Sequence, residues 1–389
     1  MTGGQLIGAG DRRLWPMLAG IALIGLTLRI AAAQGDYWLD EAWSALFARD
    51  ARTPGGVFFA INHDNNHYLN TLWLQLAGWG SPPIFGRALS ILCGTAGIVV
   101  AGLIGARRSL PAAWITALLF AVSPILVTYG SEARGYAPML LALLAATWII
   151  DRDLHGLPLR NAPILLGLVA LIGMLAHASM LVGIAALIGW TAIEHRRRMA
   201  WRPAAMATLA LAGRMIAAVM AVLLLFLVGA MAGRDGFRMG IAIGFDGPAF
   251  ADALAYMLAF TLGWPLAPDL WLLPILLMPL LIWRTPTFQD RAPFLLIAIL
   301  GWPLIVMTLQ PANSAIPRYY LLSAVALLLL LADLLAVAKP WFRYGALTLL
   351  LAGGITMDIA LIANRRGDPG RAVDMIAMRA PKGAVALID

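Results

Sequence analysis

Residues Tyr319–Ala338 read YYLLSAVALLLLLADLLAVA, an apolar run broken by one charge, Asp333. An α-helix needs about 20 such residues to cross roughly 30 Å of hydrocarbon. In lipid every backbone polar group must be satisfied within the segment, so the run predicts a membrane-spanning helix. The alternation of an outer-membrane barrel is absent. Runs of the same kind recur outward from it: Trp15–Ala33, Phe85–Ala106, Pro111–Thr128, one ending near Ile150, a pair hinged near His177, one ending near Met231, then Leu270–Trp283, Pro293–Leu309 and Trp341–Ala363. The sequence therefore predicts an all-α polytopic membrane protein with about eleven transmembrane helices.

Composition agrees. The chain has 389 residues, 61% hydrophobic and 12% charged, against about 25% charged in an ordinary soluble domain. The net charge of +8 comes from arginines at the ends of apolar runs, a topological signal and not a nucleic-acid surface. Arg12 and Arg13, Arg107 and Arg108, and Arg196–Arg198 mark cytoplasmic ends. These predict a multi-pass membrane protein with a cytoplasmic N-terminus and a C-terminus on the outer face. The first run lacks a small-residue cleavage site and reads as a retained span. Cys93 can form no intrachain disulfide. Residues 1–363 read as the transmembrane domain, with a first outer loop over 34–83, and 364–389 as a short outer tail with a helix pattern and a strand-like run, Ala384–Ile388. Ala251–Leu262 is apolar but short. Were it to span, Arg284, Arg291, Lys339 and Arg343 would all face outward, so it is expected to lie on the membrane instead.

The first outer loop is too polar to span. Leu39, Ala42, Trp43, Leu46 and Phe47 fall at helical spacing and predict an amphipathic interfacial helix. His67–Trp79 predicts a second. With this topology Asp36, Asp40, Glu41, His63, Asp64, His67, Glu132, Arg134, His177, Arg318 and Tyr319 gather on the outer face. Asp40-Glu41 could supply a general base for a hydroxyl, or Asp40 could cap its helix. His63 and His67 are four apart, as ligands on one helix face would be, or they belong to a polar loop packed on the carboxylates. Arg134 and Arg318 suit a phosphate clamp through their bidentate forks, or snorkel to headgroups. Asp333, Asp358 and Arg29 lie inside apolar runs and are candidates for function on that ground.

Four motifs, in order and at fitting intervals, carry a resemblance: Asp36-Tyr37-Trp38-Leu39-Asp40-Glu41-Ala42-Trp43-Ser44; His63-Asp64-Asn65-Asn66-His67-Tyr68-Leu69; Ser131-Glu132-Ala133-Arg134-Gly135-Tyr136-Ala137; and Pro317-Arg318-Tyr319. Together they resemble the polytopic glycosyltransferases of the GT-C class, in particular the family 39 branch of protein O-mannosyltransferases and lipid A aminoarabinose transferases. The resemblance covers nearly the whole chain. It implies transfer of a sugar from a polyprenyl-phosphate donor to an acceptor on the outer face. Asp40 would be the base, Glu41 would orient the acceptor or a metal, and Arg134, Arg318 and Tyr319 would hold the donor phosphate. His63, Asp64, His67 and Glu132 would serve the acceptor or a divalent metal, whose use varies across the superfamily. Relatives often read His-Pro-Pro-Leu-Tyr where this chain has Asn65-Asn66. The tail is short where many relatives carry an outer domain, which favours a small or lipid-borne glycan acceptor. The alternative is a lipid or amphiphile transporter or flippase, a class that often shows internal repeats and paired broken helices. No repeat is seen here.

Overall fold

The computed structural model describes residues 12–232, 236–238, 240, 242–264, 289–365 and 369–381. These residues form helices α1 (Leu14–Ala32), α2 (Leu39–Asp50), α3 (Pro54–Phe59), α4 (Tyr68–Ala77), α5 (Pro83–Ala106), α6 (Leu110–Val122), α7 (Pro124–Tyr129), α8 (Tyr136–Leu154), α9 (Ala162–Ala176), α10 (Met180–Arg198), α11 (Trp201–Ala232) and α12 (Gly247–Leu262). The chain continues with α13 (Ala292–Leu309), α14 (Pro317–Val337), α15 (Pro340–Asn364) and α16 (Pro369–Arg379). A single-residue bridge between His63 and Arg238 is the β-type pairing found among the described residues. The expected span Leu270–Trp283 and the strand-like run Ala384–Ile388 lie outside them.

Six described helices, α1, α5, α11, α13, α14 and α15, are long and apolar enough to cross a membrane. Helices α6, α9 and α12 are apolar but shorter. The bundle is wrapped in exposed apolar side chains such as Leu23, Leu168, Leu224, Leu349 and Ile359. Soluble monomers rarely expose such a belt, and this is a membrane protein. Helix α14 is its axis: 78% of its most apolar window is buried, against 22% in α15 and 28% in α1.

Local chemistry sets the breaks. Ser109 caps α6 by accepting the Ala112 N–H at 3.1 Å. The expected span Pro111–Thr128 is interrupted at Ser123, which turns extended (ψ 119°). The ring of Pro124 crowds the residue before it out of the helical region. Within α13, residues Ile297–Gly301 form a π-helical turn just ahead of Pro303. Proline has no N–H to give, so upstream carbonyls lose their donor. Ser323 of α14 donates to the carbonyl of Ala298 at 2.6 Å and restores one such bond.

Helix α12 packs into the bundle on one side. It starts at Asp246, whose side chain accepts the Ala249 N–H, and buries Phe250, Leu254, Met257 and Leu258 in the bundle. It ends at Gly263 (φ +77°), pressed on the backbone of Gly353–Gly354 in the middle of α15. Like the expected segment Ala251–Leu262, it is too short to count among the candidate spans, and the glycine-on-glycine contact lets it pack against the bundle.

The bundle has two chemically distinct ends. One holds the loop of α2–α4, the α7–α8 and α9–α10 turns, and the start of α14. The other holds a knot of charges. Arg291 meets Asp151 at 2.9 Å and Asp333 at 3.4 Å, Arg107 meets Asp151 at 3.2 Å, and Arg108 meets Asp290 at 2.5 Å. Arg291 therefore sits at the same end of the bundle as Arg107 and Arg108. Asp333, unassigned from sequence, belongs to this knot.

Candidate functional site

Helix α2 begins at Leu39, with Trp38 as its N-cap. Asp40 is thus in the first turn and not the cap, and its carboxylate is free to face inward. There it ion-pairs with Arg134, and Arg318 Nη1 lies 3.5 Å from the same oxygen. The structure brings together three residues from three distant segments. Asn65 braces them: its Nδ2 donates to the Asp40 carbonyl at 3.0 Å, and its Oδ1 accepts from Arg134 at 2.8 Å. This asparagine therefore ties the loop backbone at Asp40 to the Arg134 guanidinium through side-chain hydrogen bonds. Trp38 and Tyr136 flank the Arg134 guanidinium, their ring centroids 5.6 and 5.1 Å away. Tyr319 places its ring 5.9 Å from the Arg318 guanidinium, and its carbonyl accepts from Trp302 at 3.0 Å.

Glu41 has a different position from the one expected. It is fully buried. Arg87 grips it with Nε at 2.9 Å and Nη2 at 2.6 Å, and the N–H groups of Ala133 and Trp38 donate to it at 2.6 and 3.3 Å. Arg87 spends its remaining donors on the carbonyls of Ala33, Gly35 and Asp36. A carboxylate accepts about four hydrogen bonds and a guanidinium donates five, so both groups are saturated. Glu41 cannot reach an acceptor or a metal. It is a post that fixes α2 to α5 and to the Ser131–Arg134 loop, and so sets where Asp40 and Arg134 stand.

The histidines do not share a helix face. His63 lies in the loop, 2.8 Å from Asp64 and packed edge-on to Trp43. Asp64 also accepts the Gly240 N–H. His67 is the N-cap of α4, buried, with Nε2 3.3 Å from Arg134 Nη2. It stacks on His177 at 4.5 Å, and Tyr136 lies 4.2 Å from His177. Burial, and then the cations Arg134 and Arg318, push the His177 imidazole down to about 3. Burial first, then His177 and the same arginines, holds His67 well below its ordinary value. Both rings are neutral at physiological pH, and His67 can accept from Arg134. Glu132 is buried beside Tyr129 and Tyr136, whose hydroxyls feel its charge.

The expected metal candidates His63, Asp64, His67 and Glu132 do not converge. Among the described residues, one group brings three ligand atoms within 4.8 Å of one another: Asp151, His155 and Asp290, at the opposite end. Its two carboxylates are already engaged by Arg107, Arg108 and Arg291. That spacing suits a cation, but the charge is balanced by arginine.

Three buried N–H groups around Asp40 have no acceptor among the described residues: Trp38 Nε1, Arg134 Nε and Arg318 Nε. Buried donors without acceptors are uncommon and costly. An apolar groove of about 430 Å³ opens nearby between α12, α13 and α14. Phe250, on its wall, packs edge-to-face on Tyr320, two residues from Arg318. Another cavity, about 630 Å³, lies on the far face of α2 between Arg49 and Trp79, and Asp40 does not line it.

No family model, curated protein or solved structure matches the chain. Arg87, Asn65, Trp38, Tyr136 and His177 carry much of the site's geometry and were not assigned roles from sequence. Arg87 had a readable signal, a lone arginine at the head of an apolar run.

Proposed function

We propose that the chain is a membrane glycosyltransferase that moves a sugar from a polyprenyl-phosphate donor to an acceptor hydroxyl, with Asp40 as the base. The observation that carries this reading is a carboxylate shared by two arginines, ringed by buried N–H donors that lack acceptors. A phosphate diester supplies those acceptors and the matching charge. When it takes Arg134 and Arg318, Asp40 is released from its ion pairs and can receive a proton.

The step then balances. The acceptor hydroxyl gives its proton to Asp40 while its oxygen bonds to the anomeric carbon from the face opposite the phosphate. The bond from that carbon to the phosphate oxygen breaks, its electron pair stays on the phosphate, and the sugar inverts. Arg134 and Arg318 meet the charge that develops on the leaving phosphate, where positioned donors are worth most. The apolar groove beside Tyr320 suits the first isoprene units of the donor. Tyr319 is assigned to the donor side through Arg318, and His67 to holding Arg134. The acceptor is a lipid-borne or small glycan. The site end is assigned to the periplasmic side of a bacterial plasma membrane, because the arginine-rich turns gather at the other end.

The test is transfer of radiolabelled sugar from a panel of polyprenyl-phosphate sugars by the purified protein in nanodiscs, comparing wild type with Asp40→Asn. Transfer that disappears in the variant supports the reading. Lipid binding that survives the substitution, without turnover of any donor, assigns the chain to transport.

A further inference from the structure

At the end of the bundle opposite Asp40, α10 and α11 are joined by Met199 and Ala200, and a groove of about 420 Å³ runs between them. Small side chains make it: Ala204, Ala205 and Ala212 face Ile188 and Ala192 across a gap that larger residues would fill. Leu209 and Ile216, both exposed, extend its apolar wall along the outer surface of α11. Its mouth is polar. Arg196 and Trp201 line it, and the Arg202 guanidinium lies 5.2 Å from the Trp201 ring.

The arginines at this turn are not equivalent. Arg197 and Arg198 share Glu194. Arg196 donates one bond to the Met199 carbonyl, and among the described residues neither Arg196 nor Arg202 pairs with a carboxylate. Two exposed cations and an indole therefore stand at the rim of an apolar slot, where the helices leave the membrane. Interfacial tryptophan and basic pockets between spanning helices are the elements that recognise anionic headgroups.

We propose that this groove binds an anionic phospholipid, its phosphodiester between Arg196 and Arg202 and an acyl chain along Ala205, Leu209 and Ile216. The inference is independent of the glycosyl-transfer reading, since no residue of the Asp40 site takes part.

The experiment titrates the delipidated full chain in detergent with phosphatidylglycerol, phosphatidylcholine or inorganic phosphate. It follows the unfolding midpoint, and bound lipid by native mass spectrometry. Phosphatidylglycerol is expected to raise the midpoint and the other two to leave it unchanged. Arg196→Gln with Arg202→Gln should weaken phosphatidylglycerol about 30-fold, at roughly 1 kcal/mol for each arginine near the membrane surface. Ala205→Trp should abolish the effect with both arginines in place, and Arg160→Gln, at the same end, should keep it. An equal shift with phosphatidylcholine, a shift with phosphate alone, or undiminished phosphatidylglycerol binding by the double variant or by Ala205→Trp would overturn the proposal. So would a wild-type dimer that Ala205→Trp converts to monomer, which would assign the groove to a second copy of the chain.

Discussion

Arg318 approaches the same carboxylate oxygen of Asp40 that Arg134 holds. One oxygen thus balances two cations, and on the proposed reading an incoming donor phosphate would compete with it directly. Asp40→Asn should lower transfer by at least about 100-fold, the low end for loss of a general base, while the unfolding midpoint stays near wild type. Arg318→Ala should act chiefly on the donor, raising its KM about 10–100-fold for a lost charge-assisted bond. Steady-state kinetics with varied donor separate the two, and equal loss of kcat in both variants would contradict the assignment.

The post beneath the site makes a stability claim. Glu41→Ala leaves Arg87 buried without its partner, and Arg87→Ala does the same to Glu41. Each should cost roughly 3–5 kcal/mol. Chemical denaturation in detergent checks this. If Glu41 acted on substrate instead, Glu41→Gln would lose activity with stability intact.

The stacked histidines give a pH dependence with a definite sign. His177 is neutral in the fold down to about 3, whereas in the unfolded chain it protonates near 6.5. Below that the unfolded state binds the extra proton, so stability falls as pH drops from about 6.5 toward 3, by up to about 1.4 kcal/mol per pH unit. His67, also held low, acts in the same direction. Unfolding midpoints at pH 7 and pH 5 should diverge in wild type and draw closer in His177→Gln.

Ser323 serves the π-helical turn of α13 from across the helix interface. Ser323→Ala should cost about 1–3 kcal/mol by leaving a buried carbonyl unpaired, and Ser323→Thr should recover part of it. Since Ser323 also lines the apolar groove, the alanine variant tests whether donors of different chain length respond to the shape of that wall.

The cluster of Asp40, Arg134 and Arg318 was legible in sequence because each charge sits in a turn next to an apolar run, so topology alone gathers them at one end. Helix existence was legible for the same reason. The break at Ser123-Pro124 was written in the proline but masked by the apolar residues around it. What could not be read were pairings made across the bundle. Glu41 looked available because its partner Arg87 is far off in sequence. His63 and His67 had ligand spacing only on the assumption of a helix, which Asn65 prevents by turning its side chain to Asp40 and Arg134. The run Ala251–Leu262 likewise says nothing of the glycines in α15 against which helix α12 ends.

The Asp40 carboxylate comes from the first hairpin of the chain and Arg318 from the head of α14, the most buried of the spanning helices. Contacts so distant in sequence close late in folding. A chain made only as far as α10 can hold Asp40 against Arg134 alone, because Arg318 lies far downstream at the head of α14. The pair of arginines at Asp40 is therefore completed only once the C-terminal part of the bundle is in place, and a half-made bundle presents one cation there instead of two.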